Sequence, residues 1–145
     1  MEVGALLFSF RGRLNRANYW LAQLIYVCTN LILVLLRLVM LPGLTYQALS
    51  MVVNFGIFVS GLAVATKRLH DRDKSAWWLL PYYVLPVLMV IAVVAYLNSS
   101  EEPPDFIDYL LLGPLAIWVW VVVDLGCLRG TVGPNKYGLD PLGIR

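Results

Sequence analysis

Residues of the types that bind anions concentrate in the segment 67–78. It holds four of the eleven Lys and Arg residues and the only His. Two other polar segments, 10–20 and 130–141, add further side chains of the same kind. Guanidinium groups bind phosphate and carboxylate in bidentate geometry, so these residues suggest binding of an anionic group. The candidate ligand-binding residues are Arg13, Arg16, Arg68, His70, Asp71, Trp77, Asn135, Tyr137 and Asp140.

Catalysis and metal binding have little support in the same residues. His70 and Asp71 are sequence neighbours, and neighbours on a helix do not face each other as an acid–base pair would. No metalloprotease, nucleophile-elbow or phosphate-loop motif occurs. Cys28 and Cys127 both lie in apolar runs without the spacing of metal ligands. We therefore expect a non-enzymatic protein with no catalytic residue, no metal and no cofactor.

Four apolar runs determine the fold class. The chain is 60% hydrophobic and 14% charged, with a mean hydropathy of +0.74. A helix of about 20 apolar residues crosses a hydrocarbon core, and lipid offers no other partner for backbone polar groups. Pro81 and Pro86 should loosen the third run locally. The sequence predicts an all-α, four-transmembrane-helix bundle in one domain, 1–145, with spans at roughly 20–40, 46–66, 76–97 and 106–128.

The distribution of charge predicts how these helices cross the membrane. Ten of the eleven Lys and Arg residues fall on one side of the predicted bundle, whereas Glu101, Glu102, Asp105 and Asp108 fall on the other. Loops rich in Lys and Arg stay in the cytoplasm, so both termini and the segments 10–20, 67–78 and 130–141 are predicted to be cytoplasmic. Because topology accounts for these charges, we do not expect nucleic-acid binding.

Four of the polar residues inside the predicted spans are candidate functional residues: Gln23, Asn30, Asn54 and Asp124. Asn30 and Asn54 lie at similar depths, so an amide pair between adjacent helices is feasible. Such residues serve either to pack membrane helices together or to line a polar path. Asp124 lies about one turn inside the predicted cytoplasmic end of the fourth span, where Arg129, Arg68 or Arg16 is the expected partner.

Three motifs in order carry a family resemblance. They are Gly12-Arg13-x-x-Arg16-x-x-Tyr19-Trp20, then Arg68-Leu69-His70-Asp71-x-x-Lys74-Ser75-x-Trp77, then Gly133-x-Asn135-x-Tyr137-Gly138-x-Asp140-Pro141. Together they resemble the domain-of-unknown-function 805 family of small bacterial inner-membrane proteins. The resemblance implies a multi-pass, four-helix protein of the bacterial inner (plasma) membrane and brings no established activity.

Three hypotheses for function remain open. The preferred one is a binding or structural protein whose basic cytoplasmic face engages anionic membrane lipid or a protein partner. In its simplest form the same residues only lock the helix ends together through Arg–Asp pairs. The second is a small transporter or channel, a homo-oligomer, using a midplane seam of Gln23, Asn30 and Asn54. The third is an enzyme acting on lipid head groups through His70.

Overall fold

The structure, a computed structural model, describes residues 3–39, 43–99, 107–110 and 112–143. Six α-helices occur within these ranges: α1 (Val3–Phe8), α2 (Arg16–Val39), α3 (Leu44–Asp71), α4 (Leu85–Ser99), α5 (Ile107–Leu110) and α6 (Leu112–Val122). A 3-10 turn (Ala76–Trp78) and a π-helical turn (Leu80–Val84) precede α4, and a second π-helical turn (Val123–Cys127) follows α6. The described residues form no strand, only an isolated bridge between Asn135 and Gly138.

Three helices are long and apolar enough to cross a membrane: Arg16–Val39, Leu44–Asp71 and Ala76–Ser99. A fourth apolar helix, Leu112–Cys127, is shorter. The prediction of an all-helical membrane bundle is therefore confirmed, with different boundaries. The second span does not end near residue 66, because α3 continues to Asp71 and takes in the first half of the polar segment 67–78. The acidic residues Glu101, Glu102 and Asp105, predicted for the opposite side of the bundle, lie outside the described residues.

Pro81 lies inside the first π-helical turn, and Pro86 lies at the start of α4. A proline has no backbone N–H and its ring clashes with the preceding turn, so the regular hydrogen-bond ladder cannot pass through it. The local change of helix type agrees with the predicted loosening of this span. Ser75 occupies the N-cap position, but its side chain makes no capping hydrogen bond.

The helices pack as two pairs, α2 along α3 and α4 along α6. The principal contacts between the pairs are made at one end of the bundle, by the 3-10 turn and the second π-helical turn. We call this the arginine-rich end, because it holds Arg13, Arg16, Arg68 and Arg72. Most of the buried apolar residues cluster there: Leu6, Leu14, Tyr19, Ala22, Val64, Ala65, Leu69, Tyr82, Val121 and Leu125. Elsewhere the helices present apolar side chains outward, as lipid-facing helices do.

Candidate functional site

Arg68, in the last two turns of α3, is the largest fully buried side chain among the described residues. Its Nε donates to the carbonyl of Leu125 at 2.6 Å, and its Nη2 donates to the carbonyl of Leu128. Its Nη1 forms an ion pair with Asp71, one helical turn further along α3. A buried guanidinium needs such partners because an unpaired buried charge is strongly unfavourable. Arg68 therefore joins α3 to the end of the last helix.

Asp71 is also buried, and a second arginine reaches its carboxylate from the other side. Nε and Nη2 of Arg13 both lie 3.1 Å from Oδ1 of Asp71, while Arg68 takes Oδ2. Gly130 passes directly over this carboxylate, and a Cβ there would lie 1.9 Å from Oδ2. Three segments distant in sequence therefore meet at Asp71, which holds two cations in place.

The C-terminal segment from Gly130 to Gly143, here called the tail, is fastened over this cluster. Arg13 donates through Nη1 and Nη2 to the carbonyls of Gly133 and Thr131, both at 2.5 Å. Thr131 in turn donates its backbone N–H to the carbonyl of Asp71 at 2.8 Å. The donors of Arg13 are thus used to fix the tail, and this side chain is only 7% exposed.

His70 and the tail form a second contact. Its ring stacks on that of Tyr137, with centroids 3.8 Å apart and planes 6° from parallel. The amide nitrogen of Asn135 donates to the His70 carbonyl at 2.9 Å, and His70 Nδ1 lies 3.3 Å from the carbonyl of Gly12. These residues hold the tail against α3. The arrangement leaves His70 without a carboxylate partner and so gives no sign of an acid–base pair.

Asp140 shapes the tail itself. Its carboxylate accepts backbone N–H groups from Leu142 at 3.0 Å and from Gly133 at 2.9 Å. These hydrogen bonds lower the pKa of Asp140, the bond from Leu142 most, because they stabilise the ionised form. Gly133 has a φ of 77°, a left-handed conformation that glycine adopts without strain.

The last helix ends in five consecutive carbonyls that each accept a side-chain donor. Helix C-termini leave such carbonyls without intrahelical partners and attract cations. Four side chains donate to these carbonyls: Arg72 to that of Asp124, Arg68 to those of Leu125 and Leu128, Trp20 to that of Gly126, and Arg16 to that of Cys127. Gly126 allows the close approach of Trp20, because a Cβ there would lie 2.7 Å from the indole ring. Arginines from two helices therefore serve as the cap of a third.

Asp124 lies in the second π-helical turn and is 1% exposed. Lys74 Nζ lies 2.9 Å from its Oδ1, Tyr82 donates to its Oδ2 at 2.7 Å, and Arg72 forms an ion pair with it. The predicted partners Arg129, Arg68 and Arg16 were wrong, because the carboxylate faces the loop after α3. Burial, followed by the nearby charge of Arg72, lowers the pKa of Lys74.

Two of the other predicted intramembrane residues, Asn30 and Asn54, bond within their own helices. Asn30 donates its amide to the carbonyl of Tyr26 at 3.0 Å, and Asn54 donates to that of Ser50 at 2.7 Å. Each bond lies within its own helix, so the interhelical amide pair is not formed. Gln23 is half-buried. Trp77, one of the predicted ligand-binding residues, is 76% exposed and makes no contact with the ion pairs of Asp71.

Two cavities open beside the cluster. A small one, about 30 Å³, lies among Asn15, Arg16, Arg68, Asp71, Arg129, Gly130, Thr131, Val132, Asp140 and Leu142. A groove of about 460 Å³ adjoins it and is lined by Asn15, Arg16, Ala17, Trp20, Gly126, Cys127 and Leu142. Asn15, Arg16 and Leu142 line both. Arg16 is exposed and uses only Nη1 within the described residues, and Arg129 is exposed with no hydrogen bond or ion pair there. Positive charge available to a ligand is therefore found at the groove, on Arg16, and at the adjoining small cavity, on Arg129.

Sequence reasoning missed one further polar link. Lys67 is 2% exposed, and its Nζ donates to the carbonyls of Ala5 at 2.9 Å and Leu6 at 2.5 Å. Ser60, on the same helix, donates to the carbonyl of Leu7 at 2.8 Å. These three hydrogen bonds attach α3 to α1, a segment that was not predicted as a helix. Seven-residue spacing of Ser60 and Lys67 was the available signal, since it places both on one face of α3.

No group of three or more His, Cys, Asp or Glu side chains in the described ranges could hold a metal ion. Among the described residues, the carboxylates of Asp71, Asp124 and Asp140 are occupied by cations or backbone N–H groups. What the arrangement offers a ligand is positive charge and hydrogen-bond donors. That combination suits an anion.

The fold and the site define a helical integral membrane protein with a cluster of arginine–aspartate pairs at one end of its bundle. The chain belongs to the family described as protein of unknown function (DUF805), whose profile matches residues 7–139. It is 31% identical to inner membrane protein YhaI of Escherichia coli over 91% of this chain and 85% of that protein. It is 29% identical to inner membrane protein YhaH over 91% and 86%, and 29% identical to uncharacterized protein YiiR over 100% and 94%. No solved structure gives a significant match.

Proposed function

We propose that this protein is a non-enzymatic membrane protein that binds the phosphate of an anionic phospholipid in the groove between the start of α2 and the end of the last helix. The observation that carries the proposal is a pair of exposed arginines: Arg16 lines this groove, and Arg129 lines the small cavity that adjoins it. Arg13 and Arg68, in contrast, use their donors within the protein. The same groove is bounded by Trp20, a residue type that favours the membrane interface.

The backbone adds to the attraction for phosphate. Asn15 caps α2, because its side-chain oxygen accepts the N–H of Asn18 at 2.9 Å. The first N–H groups of a helix have no intrahelical partner, and the helix dipole favours negative charge beside them. Arg16 and Ala17 form the first turn of α2 and line the groove. Charged side chains and helix end therefore favour the same ligand.

The proposal includes a location for this end. The positive-inside rule places the arginine-rich end in the cytoplasm. In a background with Cys28 and Cys127 replaced by Ala, Ser75→Cys should react with an impermeant maleimide only after the inner face is opened, and Ser99→Cys should react from outside. Labelling of both positions from one side would contradict this arrangement.

Lipid retention tests the proposed ligand. We expect Arg16→Gln with Arg129→Gln to reduce retention of phosphatidylglycerol in native mass spectra about tenfold, as loss of two exposed charge contacts implies. Arg11→Gln with Lys136→Gln is the matched control, since it removes two exposed charges outside the groove. Equal retention by both double variants, with unchanged thermal unfolding, would overturn the proposal.

A competition experiment distinguishes a lipid ligand from a soluble phosphate compound. Inorganic phosphate at millimolar concentration should not displace phosphatidylglycerol, because the lipid is already concentrated at the membrane surface. Displacement would show that the groove takes a free phosphate compound instead. Retention that depends on a co-purified protein and not on phosphatidylglycerol would favour the protein-partner hypothesis and refute the lipid one.

A further inference from the structure

The groove lined by Arg16 has more free hydrogen-bond donors than free acceptors. Its lining residues include one arginine, one asparagine and one tryptophan, and no Asp or Glu occurs among them. The acidic residues nearest to it, Asp71 and Asp140, line the adjoining small cavity, where cations or backbone N–H groups already occupy their carboxylates. A head group in the groove itself therefore meets the charge of Arg16 with no acidic side chain in the lining. The absence of an acidic side chain affects which head group the groove accepts, in addition to the requirement that the lipid be anionic.

Three of the acceptors that the groove contains are already engaged. Asn15 Oδ1 accepts the backbone N–H of Asn18 at 2.9 Å. The carbonyl of Gly126 accepts the indole N–H of Trp20, and the carbonyl of Cys127 accepts Nη1 of Arg16, both at 3.1 Å. A ligand with N–H donors would have to compete with these bonds.

Donors remain in excess. Arg16 uses one of its three guanidinium nitrogens within the described residues, and an arginine carries five N–H groups. The side-chain nitrogen of Asn15 makes no hydrogen bond there, since its oxygen serves as the helix cap. Such a site fits a ligand rich in acceptor oxygens, whereas an ammonium group has three donors and no acceptor.

We propose that the groove distinguishes phospholipids of equal net charge: it accepts a phosphate with a hydroxyl-bearing, uncharged head group and disfavours one that carries an ammonium. This inference rests on the proposed function and adds the head-group class to it. Phosphatidylglycerol and phosphatidylserine are the probes, because both carry one net negative charge. Phosphatidylserine carries an ammonium together with a carboxylate, and since the carboxylate adds acceptor oxygens for Arg16, a preference for phosphatidylglycerol would be due to the ammonium.

Retention from equimolar mixtures in nanodiscs tests the inference. The protein should retain phosphatidylglycerol about threefold to fivefold over phosphatidylserine, the range that one exposed charge contact supplies. Ala17→Glu places an acid in the groove, at a helix N-terminus that tolerates it, and should abolish or reverse the preference. Ala76→Glu is the control, because it makes the same charge change at an exposed position outside the groove and should keep the preference.

The outcomes separate the two proposals. If neither anionic lipid is retained above phosphatidylcholine, the proposed function fails. If both are retained equally, and both depend on Arg16 and Arg129, the proposed function stands and the selectivity is overturned. If Ala17→Glu and Ala76→Glu shift the preference alike, the selectivity does not come from this groove and the inference is also overturned.

Discussion

Arg13 and Asp71 lie 58 residues apart in the sequence, and their side chains meet in a buried ion pair with both Nε and Nη2 of Arg13 3.1 Å from Oδ1 of Asp71. Arg68 forms an ion pair with the other oxygen of the same carboxylate. This arrangement fastens the tail, whose Leu142 forms part of the groove wall. Arg13 and Arg68, two of the three predicted ligand-binding arginines, thus hold the helix ends and the tail together. We call these two arginines and Asp71 the lock. Arg16 is the residue that contributes both to the cap of the last helix, through Cys127, and to the groove.

The first prediction concerns the charge at the centre of the lock. Asp71→Asn removes the carboxylate that two buried guanidinium groups share. We therefore expect the free energy of unfolding to fall by about 3–5 kcal/mol. Thermal unfolding in detergent, followed by intrinsic fluorescence, measures it. Asp73→Asn is the control, because Asp73 is exposed and pairs only with Lys136 at 3.6 Å; we expect a change below about 1 kcal/mol. Equal effects of the two variants would contradict the lock.

The second prediction concerns the backbone over Asp71. Gly130→Ala introduces a Cβ 1.9 Å from the carboxylate, so the tail or Asp71 must move. We expect a destabilisation of about 1–3 kcal/mol, as overpacking of a buried site gives. Gly61→Ala is the control, because nothing lies within 4 Å of the added Cβ and alanine favours the helix. Unfolding temperatures of the two variants should change in opposite directions, and a shared direction would argue against the contact.

Sequence patterns predicted the helical class well and the polar contacts only in part. Apolar runs show where the membrane-spanning part of each helix ends, so polar side chains near those ends, such as Arg13, Arg68 and Asp71, were expected to lie close together. The direction of Asp124 was not predictable, because a π-helical turn rotates it from its regular α-helical position. The amides of Asn30 and Asn54 bond to their own helices, an option that local carbonyls always offer and that spacing alone does not exclude.

The third prediction concerns the link between the two π-helical turns. Tyr82→Phe removes the hydroxyl that donates to Asp124 at 2.7 Å, and a hydrogen bond to a buried charged group contributes about 1.5–3 kcal/mol. Tyr83→Phe is the matched control, since Tyr83 is partly exposed and makes no hydrogen bond among the described residues. Thermal unfolding should separate the two variants. A larger loss in Tyr83→Phe would contradict the role given to Tyr82.

The fourth prediction is a pH dependence of tail docking. Backbone N–H groups of Leu142 and Gly133 lower the pKa of Asp140 in the folded protein. Since the folded pKa lies below the ordinary value of about 4, ionised Asp140 stabilises the docked tail fully above that pH. The contribution is lost as the pH falls through the folded pKa. Hydrogen exchange of residues 130–143 should rise below about pH 4, with a smaller rise in Asp140→Asn. The same pH profile in both proteins would refute the assignment.

The fifth prediction concerns α1, which Lys67 attaches to α3. Lys67→Met keeps a long apolar side chain but leaves the carbonyls of Ala5 and Leu6 without their donor, at a cost of about 1–3 kcal/mol for an unsatisfied buried group. We expect faster hydrogen exchange over residues 3–10 and little change in the tail. Lys136→Met is the control, because Lys136 is exposed at the other side of the cluster. Retention of phosphatidylglycerol should survive in Lys67→Met, since Lys67 does not line the groove.

If exchange over residues 3–10 stayed at the wild-type rate, the contacts of Lys67 would not be what holds α1 in place, and Ser60 or Leu6 would have to carry that attachment.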